Sequence, residues 1–307
     1  MLLFVQRTME ADTMISTLFC LLSVCALLVS LVPTLQPIAN HGKCTRENIK
    51  DNNILMQWCD IRVPKYLFGW MYVYGLVTGI ACFVYFPQVA SISQSQFAAS
   101  NLPELVLYEI HCLRRMLECL LMTHFGTSTM HIAGFLVGLV HYTLVPLCLV
   151  LNHGNTYKKT YPYSIFVLSL ILYILGSIVQ SHAHYVLFVI KRKDKSKHKH
   201  NQNQSRYAFP TGGGFEYIAA PHYAAEIVIY FSWFVCGGPS VAKGWMAFWV
   251  ISNLSVVADA QYRWYRENFP EEFKSKTKNN QKKSSSDNGK VRSGGLLPWK
   301  RLIPGIW

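Results

Sequence analysis

The stretch GGGFEYIAAPHYAAEIVIYFSWFV, residues 212–235, decides the fold class. Its second half is apolar enough to predict a membrane helix, yet His222 and Glu226 lie within it one helical turn apart. A carboxylate in the hydrocarbon layer costs roughly 2.5 kcal/mol or more by insertion scales and is rarely placed there without a partner. The stretch therefore predicts a membrane helix that carries a functional carboxylate.

The composition of the whole chain favours a membrane protein. Of its 307 residues, 51% are hydrophobic and only 15% are charged, whereas a soluble domain has about 25% charged residues. Runs of about 18 to 20 apolar residues cross the hydrocarbon layer. We predict an all-α polytopic membrane protein, a single embedded domain over residues 1–307, with about seven spans: 14–32, 66–86, 105–123, 128–151, 164–190, 219–236 and 242–264. Residues 14–32 follow Arg7 and could instead be a signal peptide, but 19 apolar residues are long for one.

Positive charges predict the orientation. If the seven spans alternate, 23 of the 29 Lys and Arg residues fall on the side that holds residues 33–65, 191–206 and 263–307. The positive-inside rule makes this side cytosolic, which places the N-terminus in the lumen and the C-terminus in the cytosol. The net charge of +13 follows this asymmetry, so it does not indicate nucleic-acid binding. The polar, basic segments 193–205 and 274–295 predict a mobile cytosolic loop and a disordered cytosolic insertion.

Polar side chains form stripes along four predicted spans. At spacings of three and four residues they share helix faces: Glu104, Tyr108, His111, Arg115, Glu118 and Met122; Gln180, His184 and Lys191; His222, Glu226 and Tyr230; and Ser252, Ser255, Asp259, Tyr262, Arg263 and Arg266. Such residues can simply hold helices together. Since intramembrane ionisable groups normally face a cavity or each other, four stripes favour a polar cavity open to the cytosol. Basic residues there suit the phosphates of a cytosolic ligand.

Common nucleotide and metal motifs are missing from the sequence. It has neither a GxGxxG fingerprint after a strand nor a GxxxxGK[ST] loop. Its closest histidine pairs, at 182 and 184 and at 198 and 200, do not form the repeated boxes of membrane di-iron enzymes. We therefore predict no metal site.

Four motifs give the chain a resemblance to a known family. PTGGGFEY at 210–217, PHYAAE at 221–226, Tyr262 ahead of NFP at 268–270, and the closing LIPGIW together resemble the steroid 5α-reductase family. HCLRRMLEC at 111–119 is most similar to its polyprenol reductase branch. The resemblance implies seven helices in the endoplasmic reticulum membrane and NADPH as cofactor. It also implies a polyprenal or polyprenol substrate on the way to dolichol, the lipid carrier of protein N-glycosylation.

The resemblance also implies roles for individual residues. Glu226 and Tyr262 match positions that contact the cofactor, while Gln180 and His184 stand where the fifth helix of the family supplies cofactor ligands. With the basic and aromatic residues nearby, the predicted cofactor-binding set is Gln180, His184, Lys191, Tyr207, His222, Tyr223, Glu226, Asp259, Tyr262, Arg263 and Arg266.

The predicted substrate is a polyprenal rather than a steroid. Steroid reductases polarise the substrate ketone with a Tyr that falls on Cys112 here, and the second span has no matching Glu. Hydride adds readily to an alkene only when a conjugated carbonyl takes up the charge, which favours the aldehyde over polyprenol. Tyr108, His111 or Arg115 could donate a hydrogen bond to this oxygen, and we favour His111 because imidazole donates at neutral pH and can shuttle a proton.

Five alternatives stay open from sequence alone. The first is a 3-oxo-steroid 5α-reductase. A sterol reductase is usually longer, and an isoprenylcysteine-type methyltransferase usually has Arg-His-Pro before the Tyr, where this chain has Ala-Pro-His at 220–222. A seven-span receptor would show an extracellular Cys pair, and a transporter would show repeated halves.

Overall fold

The computed structural model describes residues 2–32, 61–89, 94–123, 125–126, 128–150, 162–197, 208–236 and 240–276. Seven long helices account for most of them: α1 (Leu2–Leu31), α2 (Leu67–Val89), α3 (Gln94–Met122), α4 (Ile132–Val150), α5 (Tyr163–Lys197), α6 (Pro221–Val235) and α7 (Val241–Asn268). They follow the seven predicted spans in order. The prediction of a helical, polytopic membrane protein is confirmed.

Five of these helices, α1, α2, α4, α5 and α7, are long and apolar enough to cross a membrane. The other two carry most of the polar residues of the site. Helix α6 has only 15 residues, and α3 holds two Arg and two Glu between residues 105 and 122. The exact number of spans and the orientation of the termini stay predictions.

A two-stranded antiparallel ribbon adds a feature that the all-α prediction lacked. Strands β1 (Arg62–Pro64) and β2 (Thr129–His131) pair with Val63 opposite Met130. The ribbon precedes α2 and α4 and ties their first turns together. Three-residue strands contain too little of the two-residue alternation to be recognised in a sequence.

The helices that meet at the site approach each other closely at glycines. Helix α5 packs along α6, and α2 packs against both α3 and α4. A Cβ on Gly176 of α5 would lie 2.9 Å from Cγ1 of Ile229 and 3.1 Å from the carbonyl oxygen of Ala225. A Cβ on Gly75 of α2 would lie 2.9 Å from the ring of Tyr142. Because neither glycine has a side chain, α5 can lie close to α6 and α2 can lie close to α4.

Helix α3 turns its polar face inward, as its stripe predicted. The buried positions on this face are Glu104, Tyr108, His111, Arg115 and Glu118. The exposed positions on the opposite face are apolar: Val106, Ile110, Leu113, Leu117 and Leu120. This is the reverse of a helix at the surface of a soluble protein and suits a lipid environment.

Two segments predicted to lack structure begin as helix. Helix α5 runs on to Lys197, so residues 193–197 are helical where a mobile loop was predicted over 193–205. Residues 270–276 are also helical, and Nζ of Lys276 lies 3.1 Å from a carboxylate oxygen of Glu216. Lysine is a good helix former, so a basic composition does not distinguish a solvated helix end from a loop. Residues 198–205 and 277–295 lie outside the described residues.

A buried ion pair joins α3 to the start of α7. Nζ of Lys243 lies 2.7 Å from Oε2 and 2.9 Å from Oε1 of Glu104, and it donates to the carbonyl oxygen of Cys236 at 3.0 Å. Both side chains are almost completely buried. The hydroxyl of Ser240 accepts the backbone N–H of Lys243 at 3.2 Å, which caps α7 at the same place. Loss of either charged partner would leave the other buried and uncompensated.

We therefore expect Lys243→Met to lower the free energy of unfolding by about 3–5 kcal/mol, the usual effect of removing one member of a buried pair. Thermal unfolding of the detergent-solubilised protein measures this loss. The matched control is Lys274→Met, because Lys274 forms a 3.2 Å pair with Glu271 in which both side chains are exposed. It should unfold close to the wild-type temperature.

The double variant Glu104→Leu, Lys243→Met distinguishes a charge effect from a packing effect. Since it leaves no buried charge, it should recover much of the stability that Lys243→Met loses. A double variant no more stable than the single one would contradict this account of the pair.

Candidate active site

Glu226 is held by partners from two other helices. Its carboxylate oxygen Oε1 lies 3.3 Å from Nε2 of His111 on α3. The side-chain amide of Gln180 on α5 donates to Oε2 and also reaches the carbonyl oxygen of His222 at 3.4 Å. The Glu226 side chain is 14% exposed, so a ligand can reach a carboxylate whose orientation the protein already fixes.

The proton of the His111 ring faces Glu226. Nη2 of Arg114 lies 3.2 Å from Nδ1 of His111, and because a guanidinium can only donate, Nδ1 must be the acceptor. The N–H of the neutral ring is then on Nε2, the side of Glu226. Nη2 of Arg114 also donates to Oε1 of Gln180 at 2.5 Å, which turns the amide so that its NH₂ group faces Glu226. Arg114 thus orients both partners of the carboxylate.

Glu118 balances the charge of the two arginines. It accepts from Nη1 of Arg114 at 2.6 Å, from Nη1 of Arg115, and from the hydroxyl of Ser181 at 2.6 Å. Nη2 of Arg115 donates to the hydroxyl of Tyr72 at 3.1 Å, and the guanidinium lies over the Tyr72 ring. Together with Glu226, the cluster contains two positive and two negative groups, which is how a bundle interior tolerates such charges.

Nε2 of His111 lies 3.3 Å from Glu226 without an aligned hydrogen bond. Two further histidine nitrogens beside this cluster have no hydrogen-bond partner among the described residues. They are Nε2 of His184, 4.0 Å from the nearest oxygen of Glu118, and Nδ1 of His222. The two rings lie 5.3 Å apart, and the His222 ring is 4.1 Å from that of Tyr223. Buried polar atoms are normally satisfied, so these two indicate where a polar ligand fits.

The glycine-rich turn leads into α6 and brings His222 to the cluster. Gly212 and Gly213 have φ values of 92° and 56°, in the left-handed region that favours glycine. A Cβ on Gly213 would also collide with the ring of His182. A short 3₁₀-helix, Gly213–Glu216, follows, and α6 starts with Pro221, which is well suited to a first helical position.

The predicted cofactor residues of α7 form a second group. Nη2 of Arg263 pairs with Oδ2 of Asp259 at 2.9 Å, the Tyr262 ring lies 5.1 Å from that of Phe273, and Arg266 is exposed. One residue before Asp259, Ala258 packs against Ala220 at the start of α6. This part of α7 therefore lies beside the turn that carries His222.

The remaining predicted site residues lie in different surroundings. Lys191 is half-buried on α5, two helical turns beyond His184. The hydroxyl of Tyr108 contacts the carbonyl oxygens of Gly75 and Tyr142 at 3.2 and 3.3 Å, so its proton is shared between backbone acceptors. Tyr207 lies outside the described residues. The roles assigned to these residues, and those of His111 and Arg115 in catalysis, stay predictions.

Sequence reasoning missed two residues that organise the site. Arg114 makes four side-chain contacts here, and its spacings of three from His111 and four from Glu118 were visible in the sequence. His141 of α4 hydrogen-bonds to Tyr230 and Trp249. No polar residue lies three or four positions from His141 on α4, so no stripe marked it.

Known proteins resemble this chain over about half its length. Residues 128–278 match the family model described as 3-oxo-5-alpha-steroid 4-dehydrogenase. A protein named polyprenal reductase 2 from Oryza sativa subsp. japonica is 28% identical over 198 residues, which cover 54% of each chain. A polyprenal reductase from Danio rerio is 30% identical over 172 residues, 53% of this chain and 54% of that one. One from Mus musculus is 27% identical over 185 residues, 57% and 55% of the two chains.

The chain spans about half the length of the curated relatives it matches. The segment that matches the family model contains the glycine turn, α6 and α7, and thus Gln180, His222 and Glu226, but not the site residues of α3. The predicted resemblance to the steroid 5α-reductase family is confirmed: residues 128–278 match its family model, and the similar proteins include several named polyprenal reductase.

Proposed function

We propose that this protein is an NADPH-dependent reductase that saturates the α-isoprene double bond of polyprenal in dolichol biosynthesis. The observation that supports this most strongly is the partly exposed Glu226, held in place by His111 and Gln180. It lies within residues 128–278, which match the family model described as 3-oxo-5-alpha-steroid 4-dehydrogenase. A carboxylate fixed in this way inside a bundle of apolar helices suits binding of a polar ligand at the edge of a lipid phase.

The residues around Glu226 fit a nicotinamide nucleotide. A carboxylate can accept about four hydrogen bonds, so Glu226 can accept from a carboxamide or ribose hydroxyl beyond its two protein partners. The unpartnered nitrogens of His184 and His222 offer further polar contacts. Arg263 and Arg266 of α7, with Lys191, supply positive charge for phosphates. When bound, NADPH would supply the hydride.

The substrate should be the aldehyde because only it can take up negative charge. In an enal the carbonyl oxygen receives this charge as an enolate, whereas an allylic alcohol has no such acceptor. The protein must therefore supply a hydrogen-bond donor to this oxygen. His111 was the predicted donor, but its N–H faces Glu226. We therefore assign His111 to holding the carboxylate.

The membrane setting fits the proposed chemistry. The helices expose large apolar side chains, among them Leu113, Leu117 and Ile178, against which an isoprenoid chain can lie. The basic segments suggest that the cofactor side faces the cytosol. We therefore propose an endoplasmic reticulum enzyme whose cofactor enters from the cytosol while its substrate enters from the lipid.

A second candidate is a 3-oxo-steroid 5α-reductase, because the matching family model carries that activity in its description. Its substrate is also a conjugated carbonyl compound, so its carbonyl oxygen could likewise take up the negative charge as an enolate. Here the third-helix position of the steroid-polarising Tyr is Cys112, which is completely buried. A comparison of polyprenal and testosterone as substrates distinguishes the two candidate functions.

The proposed reaction can be tested directly. Membranes from cells that express the chain should convert polyprenal to dolichal with NADPH and should leave polyprenol and testosterone unchanged. Product analysis by mass spectrometry, with membranes from cells lacking the chain as control, measures this. Reduction of testosterone would favour the second candidate, and absence of all products from a protein that binds NADPH would contradict the substrate class.

A further prediction concerns cofactor affinity. Glu226→Gln keeps the size of the side chain but removes its charge and one acceptor, so NADPH should bind about 10 to 100 times more weakly, the equivalent of one charge-assisted hydrogen bond. Quenching of tryptophan fluorescence by NADPH measures the dissociation constant.

The matched control is Glu109→Gln, which changes a half-buried carboxylate of α3 that lies against Gly79 of α2 rather than in the Glu226 cluster. It should bind NADPH like the wild-type protein. Equal weakening by both variants, or no weakening by Glu226→Gln, would contradict the proposed role of Glu226.

A further inference from the structure

A histidine of α4 and two aromatic residues form a hydrogen-bonded chain on the other side of His111. Nε1 of Trp249 on α7 lies 3.1 Å from Nδ1 of His141, and Nε2 of His141 lies 2.7 Å from the hydroxyl of Tyr230 on α6. The indole N–H can only donate, so Nδ1 of His141 is an acceptor. The ring must then carry its proton on Nε2 and donate it to the oxygen of Tyr230.

This direction leaves the hydroxyl proton of Tyr230 available. The Tyr230 oxygen receives a hydrogen bond from His141, and the described part of the chain contains no acceptor for the Tyr230 O–H. Tyr230 is only 1% exposed. A buried hydroxyl normally satisfies its donor, so this one indicates a missing acceptor.

A second donor without an acceptor lies one turn further along α6. Nε1 of Trp233 has no hydrogen-bond partner among the residues that the structure describes, and its side chain is completely buried. The rings of Tyr230 and Trp233 are 4.6 Å apart. Both rings also meet that of His111, at 6.2 and 5.4 Å. The two donors thus adjoin the residue that holds Glu226.

We propose that the Tyr230 hydroxyl and the Trp233 indole N–H bind the carbonyl oxygen of the substrate. This assignment rests on the proposed function, which it extends by naming the group that the substrate oxygen meets. The donors are neutral, as suits an aldehyde oxygen that would become negative only while hydride from a reduced nicotinamide adds to the β carbon. The enolate would return to a neutral aldehyde when a proton from water reaches the α carbon. Donors placed where charge develops stabilise the transition state more than the ground state.

His141 is a positioning residue in this arrangement. Its N–H holds the Tyr230 oxygen and thereby directs the Tyr230 proton away from α4. A hydroxyl that accepts a hydrogen bond is also a stronger donor, because chained hydrogen bonds polarise one another. Since Tyr230 and Trp233 are both buried, the aldehyde group must enter the bundle to reach them, whereas an isoprenoid tail can remain outside.

The test compares Tyr230→Phe with wild-type protein in the polyprenal reduction assay. Removing one donor of this kind should lower kcat about 100-fold to 1,000-fold. The NADPH dissociation constant, measured by fluorescence quenching, should stay within about twofold, because Tyr230 is assigned to the substrate and Glu226 to the cofactor. A variant that was only less stable would lose activity and NADPH binding together, whereas loss of the donor should lower kcat alone.

Tyr173→Phe is the matched control. Tyr173 is also buried and its ring also contacts Trp233, at 6.5 Å, but its hydroxyl donates to the carbonyl oxygen of Leu107 at 2.9 Å. This variant should keep wild-type kcat. Trp233→Phe removes the second donor, keeps an aromatic ring and should also lower kcat. It replaces Tyr230→Phe as the test variant if Tyr230→Phe does not fold.

The outcomes distinguish the inference from the proposed function. If wild-type protein reduces polyprenal and both Tyr230→Phe and Trp233→Phe keep its kcat, the donor assignment is overturned while the proposed function stands. If wild-type protein binds NADPH but reduces no polyprenal, the proposed function itself fails. Equal loss of activity in Tyr230→Phe and Tyr173→Phe would also overturn the assignment, since it would show a general packing effect.

Discussion

Burial of the Glu226 carboxylate is the constraint on which the rest of the site depends. A negative charge in a bundle of apolar helices is tolerated only with donors in fixed positions. These come from His111 on α3 and Gln180 on α5, so three helices must meet at one point. Gly176 permits this approach, because it lies against the backbone of Ala225, the residue before Glu226. The close packing of these helices is therefore what brings the partners of Glu226 together.

The chain uses buried charge in two different ways. The pair of Lys243 and Glu104 is closed, with both groups buried and the lysine also bound to a backbone carbonyl. The Glu226 cluster is more open, since Glu226 and Arg114 keep 14% and 19% of their side chains exposed. A closed pair fastens helices, whereas a partly exposed cluster with unpartnered histidine nitrogens beside it can bind a polar molecule. Exposure, rather than the number of charges, separates structural from functional polarity here.

Much of this arrangement could be predicted from the sequence because helical periodicity is local. The stripe on α3 correctly identified its buried face, and the four-residue steps from His222 to Tyr230 identified a face of α6 on which both of these residues are buried. Contacts between distant residues left no such signal. His141 meets Tyr230 and Trp249, which are 89 and 108 residues away, and no spacing rule links them. The β1–β2 ribbon also pairs residues that are distant in the sequence, and the helical state of residues 193–197 could not be distinguished from a loop by their composition.

His111 and His141, two histidines in the interior of the bundle, are each held in one neutral tautomer by a neighbouring donor. Arg114 and Trp249 have only donors to offer, so each fixes the proton of its histidine on Nε2. At His111 this proton meets a carboxylate and completes the support of Glu226. At His141 it meets a hydroxyl, which passes the donor role on to Tyr230. The guanidinium groups of Arg114 and Arg115 are paired with Glu118, although Nε of each has no hydrogen-bond partner among the described residues. The donors of Tyr230 and Trp233, by contrast, are neutral. Neutral donors in a dry interior suit a carbonyl group better than a phosphate or a carboxylate, which would bring a charge that nothing there balances.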